Sequence, residues 1–559
     1  MNGDRVVGSV VGGSLNRSVE VRLAPGATAA LGQYLAMPLG DGAELLGMVT
    51  DIALKAAESG PTAWPPPTGD DRAASLIRAV LQDTAVYTQL DVNPYLEVRA
   101  GGENVRARRL PQHFAPVKLA DQAALDLAFA VPGDIPAIRL GTPLGVDDVM
   151  VHVDIEKLFE RSAGIFGKSG TGKTVLALLA LDAMVANSAA ARSNGERTVA
   201  LIFDMHGDYG WDLKFEGGSR RSLKQRHPQQ VAVYTLEEGV PQTDGRVLIG
   251  TRDITPEDIE ILQSTAYFTP QAVEAAHECA SRFGREWIDE LLADGPSPAV
   301  VRKTWRDGDE PDDLAWSRVA TKVGYAAGTL ENLRRGLRRL VRREFVQGGA
   351  SQFTGVIQHV VQTLQGGKSV VVQFGRHGSD LASYMLVANM LSRRIWEQYR
   401  DDMEKARGEA AREPNRLVIV IEEAHKFVDK ALAGQSIFGQ IARELRKYNV
   451  TLLVIDQRPS QIDSEVLSQI GTKFCLQLDS DADVEALVGG MAGRAGLRSV
   501  IAALESKRQA LVFGHALPMP VVLRPPELSA DFAPGQSLRA RLGVSEATTG
   551  STTPRGLFG

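Results

Sequence analysis

Residues 167–174 read GKSGTGKT, a spacing of glycines, lysine and hydroxyl that cradles a nucleoside triphosphate. Gly167, Gly170 and Gly172 would turn backbone N–H groups towards one concavity with no Cβ atoms in the way, and Lys168, Ser169 and Thr171 complete the cradle. Lys173 would reach the β- and γ-phosphates of ATP, and Thr174 would place its hydroxyl on Mg2+. A second stretch carries acid chemistry. The apolar run 417–421, LVIVI, ends in Glu422 and Glu423, which could hold the hydration shell of Mg2+ and orient the attacking water, respectively. A carboxylate buried at a strand end without such a partner would cost roughly 3–5 kcal/mol. Glu422 stands where Asp is commoner and reaches one methylene further. The run 451–455, TLLVI, leads into Asp456 and Gln457, which puts the Gln457 amide where it could sense the γ-phosphate or its water. A third acidic end, Asp204, follows TVALIF and opens DMHGDY with His206 and Asp208. Such carboxylates either sit solvated or position Mg2+ or water.

The elements that must position these groups follow from the pattern around them. Apolar runs at 163–166, 198–203, 369–374, 417–421, 450–455, 472–478 and 509–513 alternate with helical stretches such as 175–185, 380–399 and 437–448, which predicts an α/β core with a parallel sheet. Ligand groups then gather at the carboxyl ends of the strands. Ahead of this core, short segments at 5–11, 18–23, 34–38, 44–52, 85–89 and 95–100 are divided by Gly, Pro and Asn turns, which predicts a small β-barrel. The Pro-rich piece 61–69 reads as a loop between barrel strands, and the Pro-broken run 131–145 as a connector. Residues 254–343 read as helical. Their last part, LENLRRGLRRLVRREF, holds Arg334, Arg335, Arg338, Arg339, Arg342 and Arg343, either a solvated face or a contact for phosphate or an acidic partner. The expected organisation is barrel and connector over 1–130, core over 131–253, helical insertion over 254–350, core again over 351–527, and a partly disordered tail over 528–559.

Composition narrows the function classes. A net charge of −6 over 559 residues gives no general attraction to nucleic acid or to an acidic membrane, so DNA would need a local basic patch or channel. Cys279 and Cys475 are the only cysteines, which fits a reduced cytoplasmic location and excludes a disulfide framework. No leader pattern and no apolar run of membrane-spanning length is visible, so no membrane is expected.

The strand-flanked GKSGTGKT, DMHGDY, IEEAH and the run IARELRKYNVTLLVIDQRPSQIDSEVLSQIGTKFCLQL resemble the HerA ATPases of the HerA/FtsK superfamily, over roughly residues 1–524. The resemblance implies an amino-terminal HAS-barrel, a RecA-like P-loop ATPase core with a helical insertion, and a homohexamer that pumps double-stranded DNA through its ring. It implies a partner nuclease, NurA-like in DNA-end processing, or another effector, nuclease or sirtuin-like, in antiviral defence. It implies Lys173 and Thr174 as the Walker A pair, Glu422 and Glu423 as the Walker B pair, and Gln457 as the polar sensor. Arg443 or Arg446 falls in the segment that supplies an arginine finger to the neighbouring subunit, and Arg161 matches a second arginine near the subunit interface. Lys214, Arg220, Arg221, Lys224 and Arg494 are candidates for contact with DNA phosphates. A membrane-anchored conjugation-type motor shares such a core, and a ring that gates a bound effector without pumping DNA is the alternative from another class.

Overall fold

The computed structural model describes residues 6–56, 76, 80–81, 85–99, 104–131, 135–146, 149–190, 197–215, 218–265, 267–305, 315–349, 353–408, 413–430, 436–444, 447–491, 493–505 and 509–526. The stretch 61–69, Arg446 and the tail over 528–559 lie outside them, as do the side chains of Lys214 and Arg220.

The amino-terminal strands close on themselves. β1 (Val6–Gly13), β2 (Val19–Leu23), β3 (Tyr34–Pro38), β4 (Glu44–Ala56), β5 (Val86–Val98) and β6 (Pro116–Leu119) run antiparallel in the order β2-β1-β6-β3-β4-β5, and β5 pairs back onto β2. Closure leaves no edge among these six for another chain to pair with. Val10, Val21, Leu35, Leu45, Leu90 and Val117 fill the interior. The segments 85–89 and 95–100, expected as separate strands, are joined where described in the single strand β5, Val86–Val98. The proline that suggested a break, Pro94, pairs with Gly47 where the register of β4 shifts. There the missing N–H falls in a bulge and costs no regular ladder bond. A Cβ on Gly47 would lie 2.6 Å from the Val92 side chain and 2.8 Å from the Asn93 carbonyl oxygen, so the close approach needs glycine.

The rest is organised on one twelve-stranded mixed sheet. Its elements are β7 (Ala137–Pro143), β8 (Val151–Asp154), α1 (Ile155–Glu160), β9 (Ala163–Phe166), α2 (Lys173–Ala190), β10 (Thr198–Asp204) and β11 (Val231–Thr235). A helical stretch containing α3 (Pro256–Glu260), α4 (Pro270–Phe283) and α5 (Ala327–Val341) follows. Then come β12 (Ser369–Gln373), α6 (Leu381–Gly408), β13 (Arg416–Glu422), α7 (Ile437–Glu444), β14 (Val450–Asp456), β15 (Thr472–Cys475), β16 (Ala510–Gly514) and β17 (Val521–Arg524). The spatial order is β11-β12-β10-β13-β14-β9-β15-β16-β17-β7-β8, with a short strand at Gly245–Arg246 beside β11. Neighbours are parallel from β11 to β15 and antiparallel beyond. β14 thus lies between the strand before the glycine-rich loop and the strand that ends in two acids, which is the RecA-like arrangement. β9 and β14 are buried along their whole length, as strands covered on both faces must be.

Two expectations change here. The run 131–145 is no simple connector: it contains β7, which pairs with β17 near the other end of the chain. That pairing is invisible locally because the partner strand lies far along the chain. The arginine stripe also divides. Arg334 is buried and donates to the carbonyls of Leu291 and Ala293. Arg343 is buried against Asp380, Ser383 and the Tyr267 hydroxyl. Arg339 lies over the Tyr267 ring at 4.0 Å, and Arg338 pairs with Glu331. Arg335 and Arg342 stay exposed. Most of the stripe therefore staples helices and loops together, since a buried guanidinium must spend its donors on the protein. Among the described residues no helix is long and apolar enough to cross a membrane.

Candidate nucleotide-binding site

The carboxyl ends of β9, β13 and β14 meet at a cleft of about 360 Å3. Ser169, Gly170, Gly172, Lys173 and Thr174 line one side, Glu422, Glu423 and Gln457 the other, and His206 and Asp208 the end. The loop is shaped by Gly170 at φ 75° and Gly172 at φ 108°, backbone that L side chains rarely adopt. It is anchored at its base: the Gly167 N–H donates to the Asp456 carbonyl, and the Lys168 N–H to that of Gln477. The Thr171 hydroxyl donates to the Lys168 carbonyl, and the Lys168 ammonium pairs with Asp479 at 3.0 Å.

Lys173 folds back over the loop and donates to the carbonyls of Gly167 at 2.8 Å and Lys168 at 3.0 Å. Burial lowers its pKa below the usual lysine value, while Glu423, Asp456 and Glu422 pull in the opposite direction. Its charge is therefore held by neutral carbonyls that a phosphate could displace. The Thr174 hydroxyl faces the Asp208 carboxylate at 3.4 Å.

Glu422 is fully framed except at one atom. The Tyr384 hydroxyl, from α6, donates to the Glu422 carbonyl at 3.1 Å and accepts from its N–H at 3.0 Å. The Tyr209 hydroxyl donates to Oε1 at 3.2 Å, while Oε2 is buried with no hydrogen-bond partner. Burial first, and then Asp204 and Asp208, push this carboxyl up to about 8. An orphaned carboxyl oxygen on a cleft that Thr174 and Asp208 also line makes a hard-oxygen set that fits Mg2+ with its waters. Glu423 sits in left-handed backbone, φ 50°, and its Oε1 accepts from the Gln457 amide at 2.6 Å.

Asp204 is placed differently from its neighbours. It is absent from the cleft lining, is completely buried, and accepts from the N–H groups of Asp208, Tyr209 and Gly210 at 2.8–3.0 Å. Burial raises its pKa against those three bonds. Asp204 thus folds the turn that delivers Asp208 and Tyr209, and Asp208 is the acid that reaches the cleft. Neither Arg161 nor Arg443 lines the cleft of its own chain. Arg161 precedes β9 at the end opposite the glycine-rich loop, against Gly471, with its Nε buried and without a partner. It borders a cavity of about 890 Å3 between the barrel and the core. Arg443 lies 3.7 Å from Glu465. Among the proposed DNA contacts, the Lys224 ammonium is taken up by the Val231 carbonyl and Asp244, and Arg494 is exposed near Glu485. Tyr209, Tyr384, His425 and the Asp456 side chain were given no role by sequence reasoning. Asp456 carried the same signal as Asp204, an acid ending an apolar strand, whereas nothing local marks Tyr384.

Residues 138–395 match the family model of the helicase HerA central domain. The chain is 23% identical to the DNA double-strand break repair helicase HerA of Pyrococcus furiosus, across 93% of this chain and 92% of that one. It is 24% identical to a probable DNA double-strand break repair helicase HerA of Methanocaldococcus jannaschii, across 66% and 71%. Among solved structures, the bacterial conjugative coupling protein TrwB is similar with a TM-score of 0.42 at 14% identity, covering 75% of this chain and 94% of that one.

Proposed function

We infer that this chain, a member of the HerA family of P-loop ATPases, hydrolyses ATP at the cleft and uses the energy to move double-stranded DNA through a homohexameric ring. The observation that carries this reading is the pairing of an anchored phosphate cradle with Glu422, which lines the same cleft as Thr174 and has one buried oxygen without a partner. In this reading Gly170, Gly172 and their neighbours turn N–H groups to the phosphates, and Lys173 exchanges its two carbonyl partners for phosphate oxygens. Thr174 and Glu422, with Asp208 behind them, would hold Mg2+ and its waters. That ion would neutralise charge on the β- and γ-phosphate oxygens. Glu423 orients and polarises the attacking water, and Gln457 fixes the rotamer of Glu423 through their hydrogen bond. The cleft contains no arginine of its own among the described residues. A neighbour's Arg443, Arg446 or Arg161 would supply the cation that stabilises the developing charge, a contribution worth about 10³–10⁵ in rate. Hydrolysis would then require assembly and couple each site to the next.

A partner nuclease, NurA-like or a defence effector, belongs to the same proposal, with the closed barrel as its docking module. The test is ATP turnover of the purified ring with and without duplex DNA, together with displacement of a protein roadblock from that duplex. DNA-stimulated turnover with displacement supports the motor. Full turnover by isolated single protomers, without stimulation by DNA, would sink it.

A further inference from the structure

We propose that Asp456 and His425 act as a positioning pair that locks the three phosphate-facing turns of the cleft into one rigid unit and thereby aims Glu423. The inference rests on the reading of Glu423 as the residue that orients water.

Asp456 ends β14, the strand between β9 and β13, and its side chain is fully buried. It bonds to all three turns. Its carbonyl accepts from the Gly167 N–H at the base of the glycine-rich loop, at 3.2 Å. One carboxylate oxygen accepts from the Arg458 N–H at 2.6 Å, which fixes the turn carrying Gln457. The other accepts from the His425 N–H at 2.7 Å, which fixes the turn carrying Glu423. The His425 ring is nearly buried and brings Nδ1 within 3.0 Å and 3.1 Å of the two oxygens. A carboxylate can only accept, so Nδ1 carries the hydrogen and donates. The same nitrogen lies 3.6 Å from Glu423 Oε2, while Glu423 Oε1 takes the Gln457 amide. Each oxygen of Glu423 therefore faces a group whose place Asp456 sets.

The arrangement has a physical purpose. Glu423 stands in left-handed backbone, which a glutamate holds only when its surroundings over-determine it. Two turns held separately could not supply that. Tied to one buried carboxylate, they move together, and a shift of the glycine-rich loop on nucleotide binding passes directly to the acid that aligns water. Neither residue lines the cleft, so both act through Glu423 and Gln457.

The experiment compares His425→Ala, His425→Asn and Asp456→Asn in the full chain, with Glu423→Gln as control. Asparagine at 425 keeps a side-chain donor near the position of Nδ1. Asp456→Asn keeps the shape but replaces one acceptor by a donor. We expect His425→Ala and Asp456→Asn to lower kcat by about tenfold to a hundredfold with KM for ATP within about threefold, as misalignment of a reacting group does. His425→Asn should recover most of the rate. A His425→Ala protein with wild-type kcat, or a His425→Asn protein as slow as His425→Ala, overturns the proposal. Should His425→Ala fail to fold, Asp456→Asn decides alone: an unchanged kcat refutes the clamp. If Glu423→Gln itself turns over ATP at the wild-type rate, the reading of Glu423 fails independently of the clamp.

Discussion

The ends of β10 and β13 present the same sequence signal, an acid closing a buried apolar strand, and use it in opposite ways. At β10, Asp204 spends its oxygens on three backbone N–H groups and shapes a turn. At β13, Glu422 has one oxygen on Tyr209 and the other buried with nothing to accept from. What separates a structural acid from a ligand-seeking one is the count of bonds left unmade. The arginines obey the same rule. Arg334 and Arg343 look like an anion-binding stripe in sequence but have their donors consumed. Arg161, outside any obvious cluster, keeps a buried Nε without a partner.

The sharpest way to test the contrast is at the cradle itself. Lys173→Ala should abolish measurable ATP turnover, a loss of at least about a thousandfold, because among the described residues Lys173 is the cationic side chain that this chain itself brings to the cleft lining. Residual turnover within tenfold of wild type would show that the cleft is not the reaction site. Replacing Asp204 by Asn should act on folding more than on chemistry. The amide keeps one acceptor for three N–H groups, so unfolding should become easier by about 1–3 kcal/mol in a denaturant melt. If Asp204→Asn instead melted normally and lost only Mg2+-dependent binding, the assignment of Asp204 to the turn would be reversed.

A pH titration probes the other acid. Folding raises the Glu422 carboxyl from 4.5 to about 8, so between those values the native state holds a proton that the unfolded chain has released. The nucleotide-free protein should therefore lose stability as pH rises from about 5 to about 8, and Glu422→Gln should remove that part of the slope. An identical slope in the variant would place the titrating group elsewhere. The smallest effect is expected in the stripe: Arg335→Ala, at an exposed position, should shift stability by less than about 0.5 kcal/mol. Arg334→Ala should cost about 1–3 kcal/mol by taking a buried donor from the Leu291 carbonyl. Equal melts would erase the distinction.

Much of this was legible without coordinates. The glycine-rich loop, the acid pair and Gln457 could be placed because each directly follows a run of apolar, β-prone residues, and a parallel strand delivers its next residue to the shared carboxyl edge. The barrel could be anticipated from short strands and turn residues, but its long β5 could not, since Pro94 is accommodated by a register shift against β4 that no local pattern announces. β7 was missed because its partner is β17.

By itself the chain of residues determined which groups are available at the strand ends: local hydrophobic runs force strands, and the residue after each run is delivered to the common edge. Only the folded sheet decided which of those groups are already satisfied. Hydrogen-bond saturation depends on neighbours far away in sequence, such as Tyr384 over Glu422, His425 on Asp456 and Leu291 under Arg334, and no local pattern encodes those meetings.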